Sequence, residues 1–356
     1  MSRASGVGSW PDTDVRKAVT TVRDLLSEDG LPYLPELPAR GPGADMIGRA
    51  AGLLADLAVD LQPMGWRFVD RAGHDAHRTS GLLRQDLDEL AEAFDGYEGD
   101  LKVQIAGPWT LASSIWLHRA ERSVVDPGAT RDVIASLAEG LRAHLAEISK
   151  LLPKATLVVQ IDEPGLPSVL AGRLPTASGF GRIRAIDPTM AAEGLRDVVA
   201  AAGDRYTVVH CCASDVPLVL LRDTGVSAVS VDIALLTPKG WESVAATVES
   251  GVDLWAGVVP TVGIDAHGRA TTQAATQAAT RTRPRPDSED SAQGSVTGVI
   301  DPLVEAWSRV GLPVSDLSRV TLTPACGLAG LTPTGARNVQ RLAVDAARAL
   351  TETAGS

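Results

Sequence analysis

The sequence is poor in cysteine and in basic residues. Three cysteines in 356 residues are too few for the disulfide framework of a secreted protein. The 33 Lys and Arg residues are outnumbered by 44 Asp and Glu residues, which gives a formal net charge of −11. An acidic chain is disfavoured as a partner of nucleic acid or of an anionic membrane, because both attract basic surfaces.

Long apolar runs are also missing. The N-terminal "MSRASGVGSWPD" lacks the apolar centre of a signal peptide. The most apolar helix-like stretch, "AAGLLADLAVDL", is interrupted by Asp56 and Asp60. We therefore expect no transmembrane span, and we expect a cytoplasmic protein with reduced thiols.

Short β-branched runs alternate with long helix-like stretches along the chain. "TLVVQI", "YTVVH" and "VSAVSV" are apolar on both faces, which is typical of parallel strands covered on both sides. No Gly-x-Gly-x-x-Gly follows the first run, so a dinucleotide site has no support. Eight strands between helices favour a (β/α)₈ barrel of the TIM type over a doubly wound open sheet. The eight candidate strands are Ser5–Ser9, Leu31–Glu36, Lys102–Ala106, Thr156–Asp162, Tyr206–Cys211, Ser227–Asp232, Val252–Val259 and Arg319–Thr323.

One segment does not fit this alternation. Residues 268–295 repeat Gln-Ala-Ala-Thr and then become rich in Pro, Arg and Ser. Such a composition buries little apolar surface, so we predict a flexible surface insertion rather than a second domain. Residues 1–356 are accordingly predicted to form a single barrel domain.

Polar side chains lie at the ends of most candidate strands. Barrel enzymes build their active sites at the C-terminal ends of the strands, so this distribution favours a catalytic barrel. Six of the eight strand ends carry such residues: Ser9, Glu36, Gln160 to Glu163, His210 to Cys212, Asp232 and Cys326.

The stretch "VVHCCA" places a histidine and two cysteines at the end of the fifth strand. Alternate residues of a strand share a face, so His210 and Cys212 are expected to point together, with Cys211 as a packing residue on the other face. With Cys326 they form a His/Cys/Cys set that fits zinc, and Asp232 is a candidate fourth ligand. An alternative interpretation is that the cysteines are small buried packing residues, and that Asp162 and Glu163 lie in a turn stopped by proline.

Several motifs, in this order, resemble the C-terminal catalytic barrel of cobalamin-independent methionine synthase. "QIDEP", His-x-Cys and a final "CGL" in this order are specific together, and the matching stretches span almost the whole chain. These stretches are "GVGSWP", "PELPARGPGADMIG", "IAGPWTL", "QIDEPGL", "HCC", "AVSVD" and "TPACGL". Because only one barrel fits this length, the chain is similar to the short, single-barrel forms of the family.

The resemblance implies a zinc-dependent methyl transfer to the sulfur of homocysteine. It implies that His210, Cys212 and Cys326 bind zinc, with Asp232 at the place of the family's glutamate ligand. It further implies that Asp162, assisted by Glu36, holds the substrate's amino group. Ser9 and the backbone of Val7 are expected to hold its carboxylate.

Two departures from the family's pattern concern the methyl donor. Since only one barrel fits this length, we expect the second barrel of the long forms, which helps to hold folate, to be absent. The long forms also carry Asp-x-His-Ser after the seventh strand, whereas "LWAGVVPTVG" contains no histidine. A folate nitrogen needs a proton to leave, and a corrinoid does not. We therefore expect a methylated corrinoid or corrinoid protein as the donor.

Three other functions are compatible with such a barrel. A zinc-dependent alkyltransferase acting on another small thiol, such as coenzyme M, would want Arg or Lys for the sulfonate, and Arg40 is close in sequence to Glu36. A metal-free decarboxylase of the uroporphyrinogen type needs no His-x-Cys pattern. A non-catalytic barrel that binds zinc or a ligand is supported only by the altered fourth ligand, Asp232.

Overall fold

A computed structural model describes residues 1–118, 121–261 and 295–355 of the chain. Its main sheet contains eight parallel strands in the order β2-β1-β10-β9-β8-β7-β6-β5. The TIM-type barrel predicted from the alternating pattern is confirmed. The bounds of these strands are β1 Arg3–Ser5, β2 Gly30–Leu31, β5 Asp100–Ala106, β6 Thr156–Asp162, β7 Thr207–Cys211, β8 Ala228–Asp232, β9 Asp253–Val259 and β10 Thr321–Pro324.

The two end strands of this sheet, β2 and β5, meet at one isolated bridge and nearly close the barrel. Tyr33, just beyond β2, pairs in parallel with Lys102 of β5. The Lys102 amide donates to the carbonyl of Pro32 at 2.8 Å, and the Leu34 amide donates to the carbonyl of Lys102 at 3.0 Å. This seam is shorter than the other strand pairings of the barrel.

Helices surround the barrel and connect consecutive strands. Several begin with an aspartate cap or with proline in the first turn, both of which favour a helix start. The helices are α1 Val15–Leu26, α2 Met46–Ala51, α3 His74–Ala93, α4 Pro108–Ser114, α5 Pro127–Leu151, α6 Leu166–Leu170, α7 Pro188–Ala200, α8 Leu218–Arg222, α9 Pro238–Glu249, α10 Val296–Arg309 and α11 Pro333–Gly355. Short 3₁₀ helices cover Pro38–Arg40, Ser123–Val125, Ile233–Leu235 and Val314–Arg319.

The interior of the barrel changes from apolar to polar along its axis. Side chains that face outward from the strands join the large core shared with the helices. Near the N-terminal ends of the strands, a separate apolar cluster fills the interior: Leu31, Val158, Val208, Ala228 and Trp255. Polar residues continue the same faces towards the C-terminal ends, namely Gln160 and Asp162 on β6, His210 on β7 and Ser230 on β8. The polar side chains of the interior therefore lie at the C-terminal mouth of the barrel.

The first two strands begin and end earlier than predicted, and they share only Ser5 and Leu31 with the predicted strands. β1 stops at Ser5 and β2 at Leu31. The chain nevertheless continues alongside, and Ser9 pairs with Glu36 in a second isolated parallel bridge. The predicted strand ends Ser9 and Glu36 thus lie side by side beyond the regular sheet.

An antiparallel hairpin between β2 and α3 was not predicted. Its strands are β3 Ala58–Gln62 and β4 Gly65–Val69. The end of the helix-like stretch "AAGLLADLAVDL" forms β3 rather than a helix. Asp56, just before it, has a positive φ of 58°, which a continuing helix does not allow.

Two further sequence predictions concern the insertion and membrane-spanning segments. The predicted insertion, residues 268–295, lies outside the described residues except for Ser295, which caps helix α10. Among the helices of the described ranges, none combines the length and apolarity needed to cross a membrane.

Candidate active site at the barrel mouth

Two cysteines from distant parts of the chain meet at the C-terminal mouth. Cys212 follows β7 and Cys326 follows β10, and their Sγ atoms are 3.6 Å apart. This distance is well beyond a disulfide bond, which is about 2.0 Å long. Two thiolates on one tetrahedral zinc, with Zn–S bonds of about 2.3 Å, are separated by about 3.8 Å. The spacing is therefore compatible with a shared metal ion, and it also fits a hydrogen bond between the two sulfurs.

His210 lies on the inner face of β7, close to the cysteines in sequence. Its ring is buried, and within the described residues Nε2 has no hydrogen-bond partner. Nδ1 lies 2.9 Å from the hydroxyl of Ser230 on the neighbouring strand. Burial lowers the pKa of His210 to about 3, and the charge of Lys102 adds to this effect. A neutral imidazole with one nitrogen anchored and the other free is the form that binds metals.

Asp232 ends the neighbouring strand β8 and already has a structural contact. Its Oδ1 accepts a hydrogen bond of 3.0 Å from the amide of Ala234, at the start of the 3₁₀ helix Ile233–Leu235. Burial raises the pKa of Asp232 to about 6, although the hydrogen bond opposes this effect. The other carboxylate oxygen is not fixed by this cap.

The predicted ligands are only partly assembled. The structure brings the two sulfurs together, but across the described ranges no three His, Cys, Asp or Glu side chains are grouped closely enough to hold a metal ion. The residue types fit zinc, and the unpartnered His210 Nε2 and the sulfur pair are the observations that support the fit. His210 and Asp232 are not gathered with the sulfurs around one point.

Cys211 points away from this pair. It is fully buried on the outer side of β7, and burial raises the pKa of its thiol to about 12. The three cysteines are all free. A small thiol buried on the face away from the sulfur pair suits packing rather than metal binding.

Asp162 and Glu36, the residues expected to hold an amino group, are both buried near the mouth. Asp162 ends β6, and its Oδ1 accepts a hydrogen bond of 2.7 Å from Gln160 Nε2. Glu36 Oε1 lies 3.4 Å from Gln104 Nε2 and 3.8 Å from Arg49 Nε. Burial raises the pKa of both carboxyl groups, and nearby cations oppose the shift.

Arg49 also connects this region to a second carboxylate. It forms an ion pair with Asp86 of helix α3, and Asp86 in turn pairs with Arg40. Arg40, the cation that was considered for a sulfonate, is therefore engaged with Asp86 and with Gln85.

Val7 and Ser9 lie in the segment that leaves β1. The carbonyl of Val7 accepts hydrogen bonds from Lys102 Nζ at 2.8 Å and Gln160 Nε2 at 2.7 Å. The Ser9 hydroxyl packs against Gly327, where an added Cβ would come within 2.1 Å of Oγ. Residues expected to bind a carboxylate thus adjoin the loop that carries Cys326.

Lys102 is the functional candidate that the sequence analysis missed. It is 0% exposed, inside the barrel. One sequence feature could have identified it: Lys102 is a charged residue two positions before Gln104, on the face of β5 that continues to the mouth. That signal depends on knowing which face of β5 points inward, which the short run "LKVQIA" does not reveal.

Glu163 has a structural partner, although it neighbours Asp162 in "QIDEP". Its carboxylate accepts hydrogen bonds from the amides of Trp109 and Thr110, both at 2.9 Å, and from the Thr110 hydroxyl at 2.7 Å. These groups form the N-terminus of helix α4. Burial raises the pKa of Glu163 to about 7, against the effect of the three hydrogen bonds.

Comparison with known proteins finds similarity among solved structures but none at the level of sequence. No protein-family model matches the chain, and no curated protein matches its sequence. Among solved structures, the chain is similar to a B12-independent methionine synthase from Shewanella sp. W3-18-1 in complex with selenomethionine, with 13% sequence identity and a TM-score of 0.47. The similarity covers 75% of this chain and 66% of that one. That protein belongs to the family that the motifs resemble, but a match this distant leaves the activity to be argued from the side chains.

Proposed function

We propose that the chain is a zinc-dependent methyltransferase that methylates the thiol of homocysteine and so forms methionine. The observation that carries this proposal is the pair of sulfur atoms of Cys212 and Cys326, 3.6 Å apart at the barrel mouth. The unpartnered, buried Nε2 of His210 supports it. Buried carboxylates suited to an ammonium group, Asp162 and Glu36, complete the argument.

In this proposal His210, Cys212 and Cys326 would hold zinc, with Asp232 as the fourth ligand. Zinc would supply a Lewis acid that keeps a thiol ionised near neutral pH. Asp232 is one methylene shorter than the glutamate of the related pattern, and its capping contact holds one oxygen away from a ligand role.

The remaining residues bind and orient the amino acid. Asp162 and Glu36 would accept hydrogen bonds from the ammonium group, while the Val7 amide and the Ser9 hydroxyl would donate to the carboxylate. Fixing both groups aims the sulfur at the donor methyl, and such alignment lowers the barrier. A sulfur–carbon bond forms as the donor–methyl bond breaks, and the bonding electron pair stays with the donor.

The proposed methyl donor is a methylated corrinoid or corrinoid protein rather than a free folate. The argument is that the stretch ending β9, which reads "LWAGVVPTVG", contains no histidine that could act as a general acid. An Asp265-Ala266-His267 triplet follows a little later in the sequence, outside the described residues. His267 is the nearest histidine downstream of this stretch, so its variant tests the proposed donor.

The buried charges support an amino-acid acceptor over coenzyme M. A sulfonate would bring an extra negative charge beside Asp162 and Glu36, and burying an uncompensated charge is costly. Arg40 is already paired with Asp86. The proposal also places the enzyme in the cytoplasm, because thiols must stay reduced to bind zinc.

The first experiment measures zinc in the purified protein, by elemental analysis and by X-ray absorption at the zinc edge, with and without homocysteine. We expect about one zinc per chain and one additional sulfur ligand when homocysteine is present. Cys326→Ser should lose most of this zinc. Cys211→Ser is the matched control, because its thiol lies on the opposite face of β7, and it should retain the metal.

If homocysteine does not change the zinc coordination, the acceptor is another thiol or the barrel is not catalytic. If the purified protein contains no zinc, the sulfur pair is a packing feature. Methyl transfer is then assayed with methylcobalamin and with methyltetrahydrofolate as sole donors. Efficient turnover with methyltetrahydrofolate that is lost in His267→Ala would overturn the proposed donor while leaving the acceptor intact.

A further inference from the structure

Lys102 is a fully buried lysine in the middle of the barrel interior. Its ammonium group donates three hydrogen bonds: to the Val7 carbonyl at 2.8 Å, to Gln160 Oε1 at 2.9 Å and to Gln104 Oε1 at 3.2 Å. It also lies 5.0 Å from the centre of the Tyr33 ring. Because an ammonium has three protons, every donor is used. Lys102 therefore acts through its charge and position and not as a nucleophile.

Gln160 connects this ammonium to the carboxylate of Asp162. Its Oε1 accepts from Lys102, and its Nε2 donates to Asp162 Oδ1 at 2.7 Å. The same Nε2 donates to the Val7 carbonyl at 2.7 Å. One amide thus orients both groups that the proposed function assigns to the two ends of the amino acid.

The charges around this network balance. Glu36, Asp86 and Asp162 provide three carboxylates, and Arg40, Arg49 and Lys102 provide three cations, all in side chains that are less than a tenth exposed. Burial lowers the pKa of Lys102 and raises that of Asp162. Lys102 and Asp162 together carry no net charge whether the proton lies on the amine or on the acid.

A neutral buried pocket discriminates among ligands by their net charge. A zwitterionic amino acid adds an ammonium and a carboxylate that cancel, so the filled site stays neutral. An amine or a carboxylate alone leaves one charge uncompensated in a low-dielectric interior, which is unfavourable.

We infer that Lys102 is the specificity-determining residue that makes this pocket select zwitterionic amino acids over cationic or anionic analogues of the same shape. The inference rests on the proposed function, because it takes the Asp162 and Val7 groups as the amino-acid end of the site. Lys102 does not contact the ligand. It sets the net charge of the pocket in which the ligand binds.

Three thioethers without a free thiol test this inference independently of any metal. Methionine is zwitterionic, 3-(methylthio)propylamine lacks only the carboxylate, and 4-(methylthio)butanoate lacks only the amine. Isothermal titration calorimetry of the full-length protein gives the affinity for each ligand. For the wild type we expect methionine to bind more tightly than either analogue.

Lys102→Met removes one positive charge from the pocket, and the ammonium group of a bound amine can then take its place opposite the Asp162 carboxylate. The preference for the amine relative to the carboxylate should then rise by about tenfold or more, as expected for a unit charge at short range in a partly screened interior. Glu36→Gln leaves one excess positive charge and should shift the same ratio in the opposite direction. A ratio cancels any general loss of affinity, so a purely structural effect would not move it.

The outcomes separate the inference from the proposed function. Wild-type binding of methionine with an unchanged amine-to-carboxylate ratio in the Lys102 variant overturns the role of Lys102 and leaves the amino-acid site standing, whatever the ratio of Glu36→Gln. Absence of methionine binding by the wild type removes the amino-acid acceptor and the inference with it. If Lys102→Met does not fold, as judged by circular dichroism, Lys102→Gln replaces it, because glutamine removes the charge and keeps a hydrogen-bond donor for the oxygens of Val7 and Gln160.

Discussion

His144 lies in helix α5 with 5% of its surface exposed, and its Nδ1 has no hydrogen-bond partner among the described residues. Burial lowers its pKa to about 3, and the charge of Arg49 adds to this. An unfolded chain would bind a proton at this histidine near its ordinary pKa of about 6.5. The free energy of unfolding therefore decreases as the pH falls from about 6.5 towards 3.

We expect His144→Leu to reduce the acid sensitivity of the fold. Between pH 6.5 and 4 the wild type should lose up to about 1.4 kcal/mol of unfolding free energy per pH unit through this one group, and the variant should lack that contribution. Urea unfolding at several pH values measures the slope. His77→Leu changes an exposed histidine of helix α3 and should leave the slope unaltered; equal slopes in all three proteins would contradict the assignment.

Single residues also show where sequence reasoning stops. Alternation along a strand predicts that His210 and Cys212 share a face, and it needs no tertiary information. The approach of Cys326 to Cys212, 114 positions earlier, follows only from the barrel placing the ends of β7 and β10 at one mouth. The role of Lys102 depends on which face of β5 is inside, and its partners across the interior come from β6 and from the segment that follows β1.

At the scale of elements, helix α4 depends on a carboxylate from the loop that follows β6. Seven residues, Pro108–Ser114, form this helix, and no side chain of its own caps it. Glu163 supplies the missing acceptor for two of the amides at its N-terminus. An anion at this end also interacts favourably with the helix dipole.

Glu163→Gln should destabilise the protein by about 1–3 kcal/mol at pH 8, where the carboxylate is ionised. The amide keeps the size of the side chain, but its NH₂ group would face donors that need an acceptor. Urea unfolding followed by circular dichroism measures this loss. Asp162→Asn is a matched change on the adjacent residue, and a loss as large as that of Glu163→Gln would argue against the helix cap as the cause.

The elements that were predicted well are those with strong local signals. β6 has the predicted bounds, Thr156–Asp162, because a buried apolar run ends at Pro164. The hairpin β3–β4 was missed because its turn residues, Pro63 and Met64, are not the Asn-Gly or Asp-Gly pair that marks a tight hairpin. Its position next to an apolar stretch favoured a helix instead.

The molecule as a whole shares one large core. Outward-facing residues of the barrel strands and the inner faces of the surrounding helices belong to the same apolar cluster, from Ala4 near the start to Leu350 near the end. The eight-strand count and the parallel arrangement followed from the sequence pattern. The near-closure between β2 and β5 did not, because β2 has only two residues and its pairing with β5 rests on one bridge.

A single core predicts a single cooperative unfolding transition. Urea unfolding followed by tryptophan fluorescence and by far-ultraviolet circular dichroism should give coincident midpoints. Two separated midpoints would show that the chain unfolds in parts and would contradict the prediction of one domain over residues 1–356.

The seam between β2 and β5 has a consequence for folding fidelity. The backbone of Lys102 forms the bridge that joins these strands, while its side chain reaches Val7 and Gln160 across the interior. A slip of β5 by one residue would reverse the direction of every side chain on it. Val103 would then point into the polar interior. The ammonium group of Lys102 would point into the apolar layer between the strands and the helices, where burial of a charge is unfavourable. Lys102 therefore raises the free energy of a barrel with the wrong β5 register. The same charge that neutralises the pocket thus favours correct closure of the seam.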